Sequence, residues 1–205
     1  MHTNMEQKKN KKLLFLLTLA ALSFSVRAQK TAVKTNLLYD ATSTLNLGVE
    51  FGLSTKWTLD ISGNYNPWEF GDNRKMKHWL VQPELRYWLC EKFNGHFLGL
   101  HMHGAQYNWG GMLPWGFSNG KMFGIESRQM SQYRYEGWLS GVGISYGYQW
   151  ILGNRWNLEA SLGIGYAHLS YGKYNSEKCG DKLGDERRNY FGPTKASISL
   201  IYIIK

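Results

Sequence analysis

The stretch LNLGVEFGLSTKWTLDISGNYN, Leu45 to Asn66, alternates apolar and polar residues on both sides of a three-residue gap. Leu45, Leu47, Val49, Phe51 and Leu53 share one parity, and Asn46, Gly48, Glu50, Gly52 and Ser54 share the other. Beyond the gap, Trp57, Leu59, Ile61 and Tyr65 alternate with Thr58, Asp60, Ser62, Asn64 and Asn66. Successive side chains of a strand point to opposite faces, so the segment reads as a hairpin with one oily and one polar face. What each face meets decides where the protein resides.

The chain has 205 residues, a length suited to one domain. Its first residues read as a signal for export. Lys8, Lys9, Lys11 and Lys12 make a basic start, LLFLLTLAALSFSV is an apolar run short for a bilayer span, and VRAQ offers a cleavage site after Ala28. Residues 1–28 are therefore expected to be a signal peptide and residues 29–205 a single barrel domain. No lipobox cysteine follows the apolar run. Without residues 1–28, which hold five Lys/Arg and one Glu, the formal charge falls from +9 to +5. The basic balance is thus largely export signal. No Lys/Arg face interleaved with aromatics suggests a nucleic-acid partner.

The alternation recurs along the rest of the chain and predicts eight strands. The first runs from Val33 to Asp40, and the opening hairpin supplies two more. Trp79 to Leu89, Leu98 to His103, Trp138 to Trp150, Trp156 to Tyr166 and Lys195 to Ile204 complete the set. No segment after the export signal shows helical periodicity. Connections alternate in length. STK, EKFN and GN are short, whereas PWEFGDNRKMK, the stretch from Tyr107 to Tyr135, and GKYNSEKCGDKLGDERRN are long. The expected fold is all-β, an eight-stranded antiparallel up-and-down transmembrane barrel with tight turns at one end and long loops at the other.

A soluble barrel also alternates, with its oily face inward. Two features favour the inverted arrangement. The polar face is mostly Gly, Ser, Asn and Thr with few charges, whereas a water-exposed face is expected to be rich in Lys and Glu. The oily face also places aromatics at strand ends, Trp57, Trp150 and Trp156 by the short turns and Tyr65, Trp79 and Trp138 by the loops. Such aromatic girdles mark the two edges of a lipid-facing band.

Three blocks, KTNLLYDATSTLNLGVEFGL, WLVQPELRYWLCEKFNGHFLGLHMH and NYFGPTKASISLIYI, resemble a domain-of-unknown-function family of small outer-membrane β-barrels from Gram-negative anaerobes. Gln82–Trp88 and Tyr190–Lys195 are the most specific parts of the resemblance. It implies the barrel fold, a place in the cell outer membrane and, by association with fimbrial and other surface-assembly proteins, a surface role. It implies no enzymatic activity.

Charges on the polar face form the first candidate site. Lys34, Arg86 and Lys195 are cationic, Glu50, Asp60, Glu84 and Glu159 anionic, and all share lumen parity. Isolated buried charges are costly, so these groups are expected to pair across the barrel as a structural plug. A gate on a small channel is the rival reading, disfavoured because eight strands leave little lumen. His101 and His103, at i and i+2, share a face, but no third ligand stands beside them, so neither a metal nor a cofactor is expected.

His168 and Ser170 carry the outer parity near the loop end of the seventh strand. An outward His-x-Ser pair resembles lipid-deacylating barrel enzymes, with Glu177 or Glu186 as the acid that would orient the His. The simpler reading makes both residues interfacial polar groups. Trp109, Trp115, Phe117 and Phe123 make the longest loop either a contact patch or a cover over the barrel mouth. Cys90 falls at a short turn and Cys179 in the last long loop, at opposite ends of the barrel, so no bridge is expected between them.

The function expected from the sequence is a non-enzymatic outer-membrane barrel with a structural or partner-binding surface role, accessory to surface-fibre assembly. A lipid-modifying esterase using Ser170 and His168, or a small channel, are the alternatives. Outer-membrane lipid and lipopolysaccharide are the expected partners of the wall, and surface or fimbrial proteins those of the loops.

Overall fold

The computed structural model describes residues 30–70, 74–111, 121–122, 125–126, 132–175 and 180–204. Eight long strands are β1 (Thr31–Asn36), β2 (Leu45–Gly52), β3 (Trp57–Asn66), β5 (Arg74–Trp88), β6 (Gly95–Gly110), β9 (Tyr133–Ile151), β10 (Trp156–Asn175) and β11 (Lys182–Ile204). Two-residue strands β4 (Glu69–Phe70), β7 (Lys121–Met122) and β8 (Ile125–Glu126) lie in the connections, and helix α1 (Leu37–Ala41) follows β1. Neighbours pair antiparallel in the order β3-β2-β1-β11-β10-β9-β6-β5, and β3 pairs in turn with β5, so the sheet closes on itself. Closure removes free edges, the general weakness of a β-sheet.

The alternation read in the sequence sorts side chains between the two surfaces of this ring. On β2 and β3, Leu45, Leu47, Phe51, Trp57, Ile61 and Tyr65 are exposed on the outside, while Glu50, Thr58, Asp60 and Asn64 are buried inside. The pattern continues around the ring, with Leu98, Leu100 and Met102 outside and His101 and His103 inside. Leu162 is 72% and Ile144 61% exposed, whereas Glu50, Arg86 and Glu159 are 0% exposed. That is the inverse of a water-soluble protein, whose charged groups are seldom fully buried. The lumen holds the core of this barrel, polar and charged groups between apolar and aromatic clusters.

Glycine makes room for the large lumen groups. Gly147 lies against the ring of Phe97, and a Cβ on Gly143 would stand 2.6 Å from His101 Nε2. Proline is accommodated at irregular points. Pro193 sits where the β10–β11 register slips, with Gly163 opposite Lys195 and Ile164 opposite Pro193. It has no N–H for the ladder and fits where pairing is interrupted.

Five expectations need correction. The long loop PWEFGDNRKMK is shorter than expected, since its last residues Arg74–Lys77 belong to β5 and its Glu69–Phe70 form β4. The first strand does not run to Asp40; it stops at Asn36, whose side chain accepts the Leu38 N–H at 3.2 Å and starts α1. Asp40 then accepts from Thr35 Oγ1 at 2.9 Å and from Asn46 Nδ2 at 2.8 Å, fixing the turn that the alternation concealed. The absence of helix outside the export signal is corrected by the same element. The polar stretch from Gly172 to Asn189 is not one loop, because β10 continues to Asn175 and β11 begins at Lys182, well before Lys195. The stretch from Tyr107 to Tyr135 is likewise shortened, as β6 stays paired with β9 to Gly110 opposite Arg134. Tyr107 and Trp109 on β6 and Tyr133 and Tyr135 on β9 lie in these extensions, since aromatic side chains suit a paired strand as well as a loop. Lys182–Asn189 has no aromatic residue and is held by its pairing with β10.

The expected signal peptide, residues 1–28, lies outside the described residues. So do Trp115, Phe117, Phe123, Glu177 and Cys179. Cys90 is exposed at the β5–β6 turn with a free thiol.

Candidate functional site

Three consecutive inward positions of β5, Glu84, Arg86 and Trp88, build the floor of the lumen. Trp88, Phe93 and Phe97 close the short-turn end, with ring centroids 6.0 Å apart for Trp88–Phe93 and 4.9 Å for Trp88–Phe97. Phe93 comes from the turn itself in a left-handed conformation, φ 66°, and its carbonyl accepts from Asn157 Nδ2 at 3.1 Å. All three rings are at most 3% exposed.

Arg86 lies above this floor, its guanidinium carbon 4.4 Å from the Phe97 ring centroid. Its Nε donates to Glu84 at 2.6 Å, Nη1 to Glu50 and Glu159 at 2.8 Å each, and Nη2 to Asp60 and Glu159 at 3.0 Å each. Lys34 Nζ stands 2.8 Å from Asp60 and 3.2 Å from Glu50. Lys195 donates to Glu84 at 2.6 Å. The structure therefore brings together all seven charged residues singled out by parity, drawing them from six strands. The planar fork of an arginine can serve several carboxylates at once, which the point charge of a lysine cannot.

Neutral groups complete the network. Thr58 donates to Glu50 at 2.5 Å and accepts from Trp88 Nε1 at 2.9 Å, and Ser145 donates to Glu84. His101 Nε2 meets Thr194 Oγ1 at 2.9 Å, and His101 Nδ1 lies 4.0 Å from Glu84. Thr58, Trp88 and Ser145 share lumen parity with the charges, so that signal was present in the sequence; their bonding depends on register across the ring. No cluster of three metal-binding side chains occurs among the described residues.

The polar space left above Lys34, between Asp60, Gln82 and Lys195, measures about 30 Å³. That is room for a water-sized group and not for a solute. At the loop end Tyr135, Ala167, Leu169 and Tyr171 form a second buried cluster, joined by Tyr107, Tyr133, Leu139 and Tyr190. Tyr171 donates to Glu186 at 3.0 Å.

The His-x-Ser pair stands apart from all of this, on the outside. His168 faces Asn189 of β11 and Ser140 of β9 in the ladder, and Ser170 faces Arg187 and Trp138. His168 Nδ1 and Asn189 Oδ1 are 2.8 Å apart. Glu186, one of the two acids expected to orient His168, instead meets Tyr171, which faces the lumen. The second outward partner, Asn189, was missed because its pairing with His168 rests on the register of β11, in a stretch that the sequence reads as loop.

None of the curated proteins and none of the solved structures matches this chain. The family model for proteins of unknown function DUF3575 matches residues 14–204, nearly the whole sequence, and the chain belongs to that family.

Proposed function

We propose that the protein is an integral β-barrel of the cell outer membrane, a sealed wall that presents its raised loop-end strands to partners outside. One observation carries this reading: the barrel is inside-out, with charges buried in the lumen and large apolar side chains exposed around the circumference. Lipid is the environment in which that arrangement is stable, because it leaves no apolar wall in water and every backbone group paired. The six girdle aromatics named above are each 42–55% exposed. On β9 they bracket the run from Trp138 to Trp150, whose ends lie roughly 40 Å apart along the strand, or about 28 Å across a bilayer at 45° tilt.

The sealed floor counts against the channel alternative, since Trp88, Phe93, Phe97 and the Arg86 network fill the cross-section. What remains for function is the outside. The strands β9, β10 and β11, of 19, 20 and 23 residues, are about twice the length a bilayer requires. Their tips form a stiff sheet suited to structural or partner-binding work, and the family resemblance adds surface-fibre assembly as the expected setting. One observation favours the lipid-modifying alternative as an added role of the same wall, the contact of His168 with Asn189.

Carbonate or urea washing of outer membranes is expected to leave the protein in the pellet. Unheated samples are expected to migrate on gels at a different apparent mass from heated ones, as a closed barrel does. Release into the soluble fraction would overturn the membrane reading.

A further inference from the structure

We propose that Ser170, His168 and Asn189 form an ester-hydrolase site on the outer wall, directed at the acyl esters of outer-leaflet lipid. The inference rests on the membrane placement proposed above, which puts this face in lipid.

Position is the first argument. On β10 the exposed apolar residues end with Leu162, Ile164 and Tyr166; His168 and Ser170 follow on the same face. On β11 the exposed Phe191 marks the same boundary, and Asn189 and Arg187 come next. Trp138, 46% exposed, lies directly across from Ser170. The pair therefore stands at the aromatic girdle, between hydrocarbon and headgroup, where the ester bonds of a membrane lipid lie.

Chemistry is the second. A serine is a weak nucleophile until a base takes its proton, and the base works when a third group fixes its ring. Asn189 supplies that third group: its side-chain oxygen is a hydrogen-bond acceptor, so at 2.8 Å it holds Nδ1 as the N–H and leaves Nε2 as the base. Among the described residues neither Nε2 nor Ser170 Oγ makes a hydrogen bond. Ser170 is two residues on along the same face, about 7 Å from His168 between Cα atoms. Rotation of the Ser170 side chain toward Nε2 narrows that gap with His168 left on Asn189, and such contacts often tighten only with substrate bound.

The reaction balances with water as the co-reactant. Ser170 Oγ attacks the ester carbonyl while His168 Nε2 accepts its proton. The tetrahedral oxyanion collapses, the C–O bond to the lipid alcohol breaks, and His168 returns the proton to that oxygen. Water, deprotonated by the same imidazole, then releases the fatty acid and restores the serine. Backbone N–H groups of a doubly paired strand are already used in the ladder, so the oxyanion needs a side-chain donor. Arg187, on the same face opposite Ser170 and in no ion pair among the described residues, is placed to supply it.

Folded full-length protein in vesicles tests this, with free fatty acid measured by mass spectrometry. One arm holds glycerophospholipid and the other lipopolysaccharide, which separates the two sources of the same ester. Fatty acid release in either arm is expected, falling to background with Ser170→Ala. Asn189→Ala is expected to lower kcat about 10-fold or more with KM little changed, and Asn189→Asp to restore most of it, as suits a positioning residue. Ser140→Ala, which removes the other serine beside His168, should leave the rate unchanged. Loss with Ser140→Ala in place of Ser170→Ala would overturn the assignment. So would no release in both arms from protein that floats with the vesicles and shifts on unheated gels. Protein that fails to float would instead overturn the membrane placement.

Discussion

At the short-turn end the lumen is filled by charge and by the rings of Trp88, Phe93 and Phe97; at the loop end it is filled largely by tyrosines. The floor concentrates Arg86, Lys34 and their carboxylates over Trp88 and Phe97, each group depending on several others. The mouth relies on ring packing, such as Tyr135 against Tyr171 with centroids 5.5 Å apart and planes at 75°. Phenols suit that end because one edge can pack while the hydroxyl meets water or a polar neighbour. A charge network is all-or-nothing, since removing one member strands the rest, whereas ring packing degrades by degrees. The floor should therefore set the stability of the whole barrel and the mouth only that of its upper strands.

The largest effect that would sharpen this contrast comes from Arg86→Ala. It leaves Glu50, Asp60, Glu84 and Glu159 sharing Lys34 and Lys195, and breaking a buried ion pair from one side costs about 3–5 kcal/mol. Urea titration of the refolded barrel is expected to show that loss, with amide hydrogen exchange accelerated in every strand. Exchange accelerated only in β5 would break the idea of a shared floor. Tyr171→Phe should cost less, about 1 kcal/mol, because it removes one hydrogen bond to Glu186 and keeps the ring. Its faster exchange should be confined to the tips of β9, β10 and β11; a global change would erase the distinction between the two ends.

The smallest effect lies outside both plugs. Lys77 donates to Glu69 at 2.5 Å, and this hydrogen bond, with the nearby Lys75 charge, holds the exposed Glu69 carboxyl below its ordinary 4.5. A depressed folded-state pKa stabilises fully above the unfolded value and is lost as pH falls through the folded one. Glu69→Gln should therefore be slightly less stable than the natural protein at neutral pH, the gap closing as pH drops below 4.5. Solvent screens such a pair, so a gap comparable to that of Arg86→Ala would contradict the ranking.

These cases also show where reading the sequence succeeds. Parity assigned Lys34, Glu50, Asp60, Glu84, Arg86, Glu159 and Lys195 to one face because a strand alternates strictly, whatever its neighbours. The same rule put His168 and Ser170 on the other face. It failed at Leu37–Ala41, where Asn36 and Asp40 close a short helix through side-chain bonds that leave the alternation unaltered. It failed again at Gly172–Asn175 and Lys182–Asn189, where glycines and charges suggest loop but the pairing of β10 with β11 holds the backbone extended.

The sequence by itself thus determined the eight strands, the closed up-and-down order implied by alternating connections, and which side chains share a surface. Those features are local, fixed by a two-residue period and by turn length. Only the tertiary structure decided which charges meet: Arg86 reaches Glu159 from a strand far along the chain, and Asn189 stands beside His168, because the register and curvature of the ring set those distances. Periodicity carries no information about register between strands, and a shift of two residues would keep every face while separating every partner.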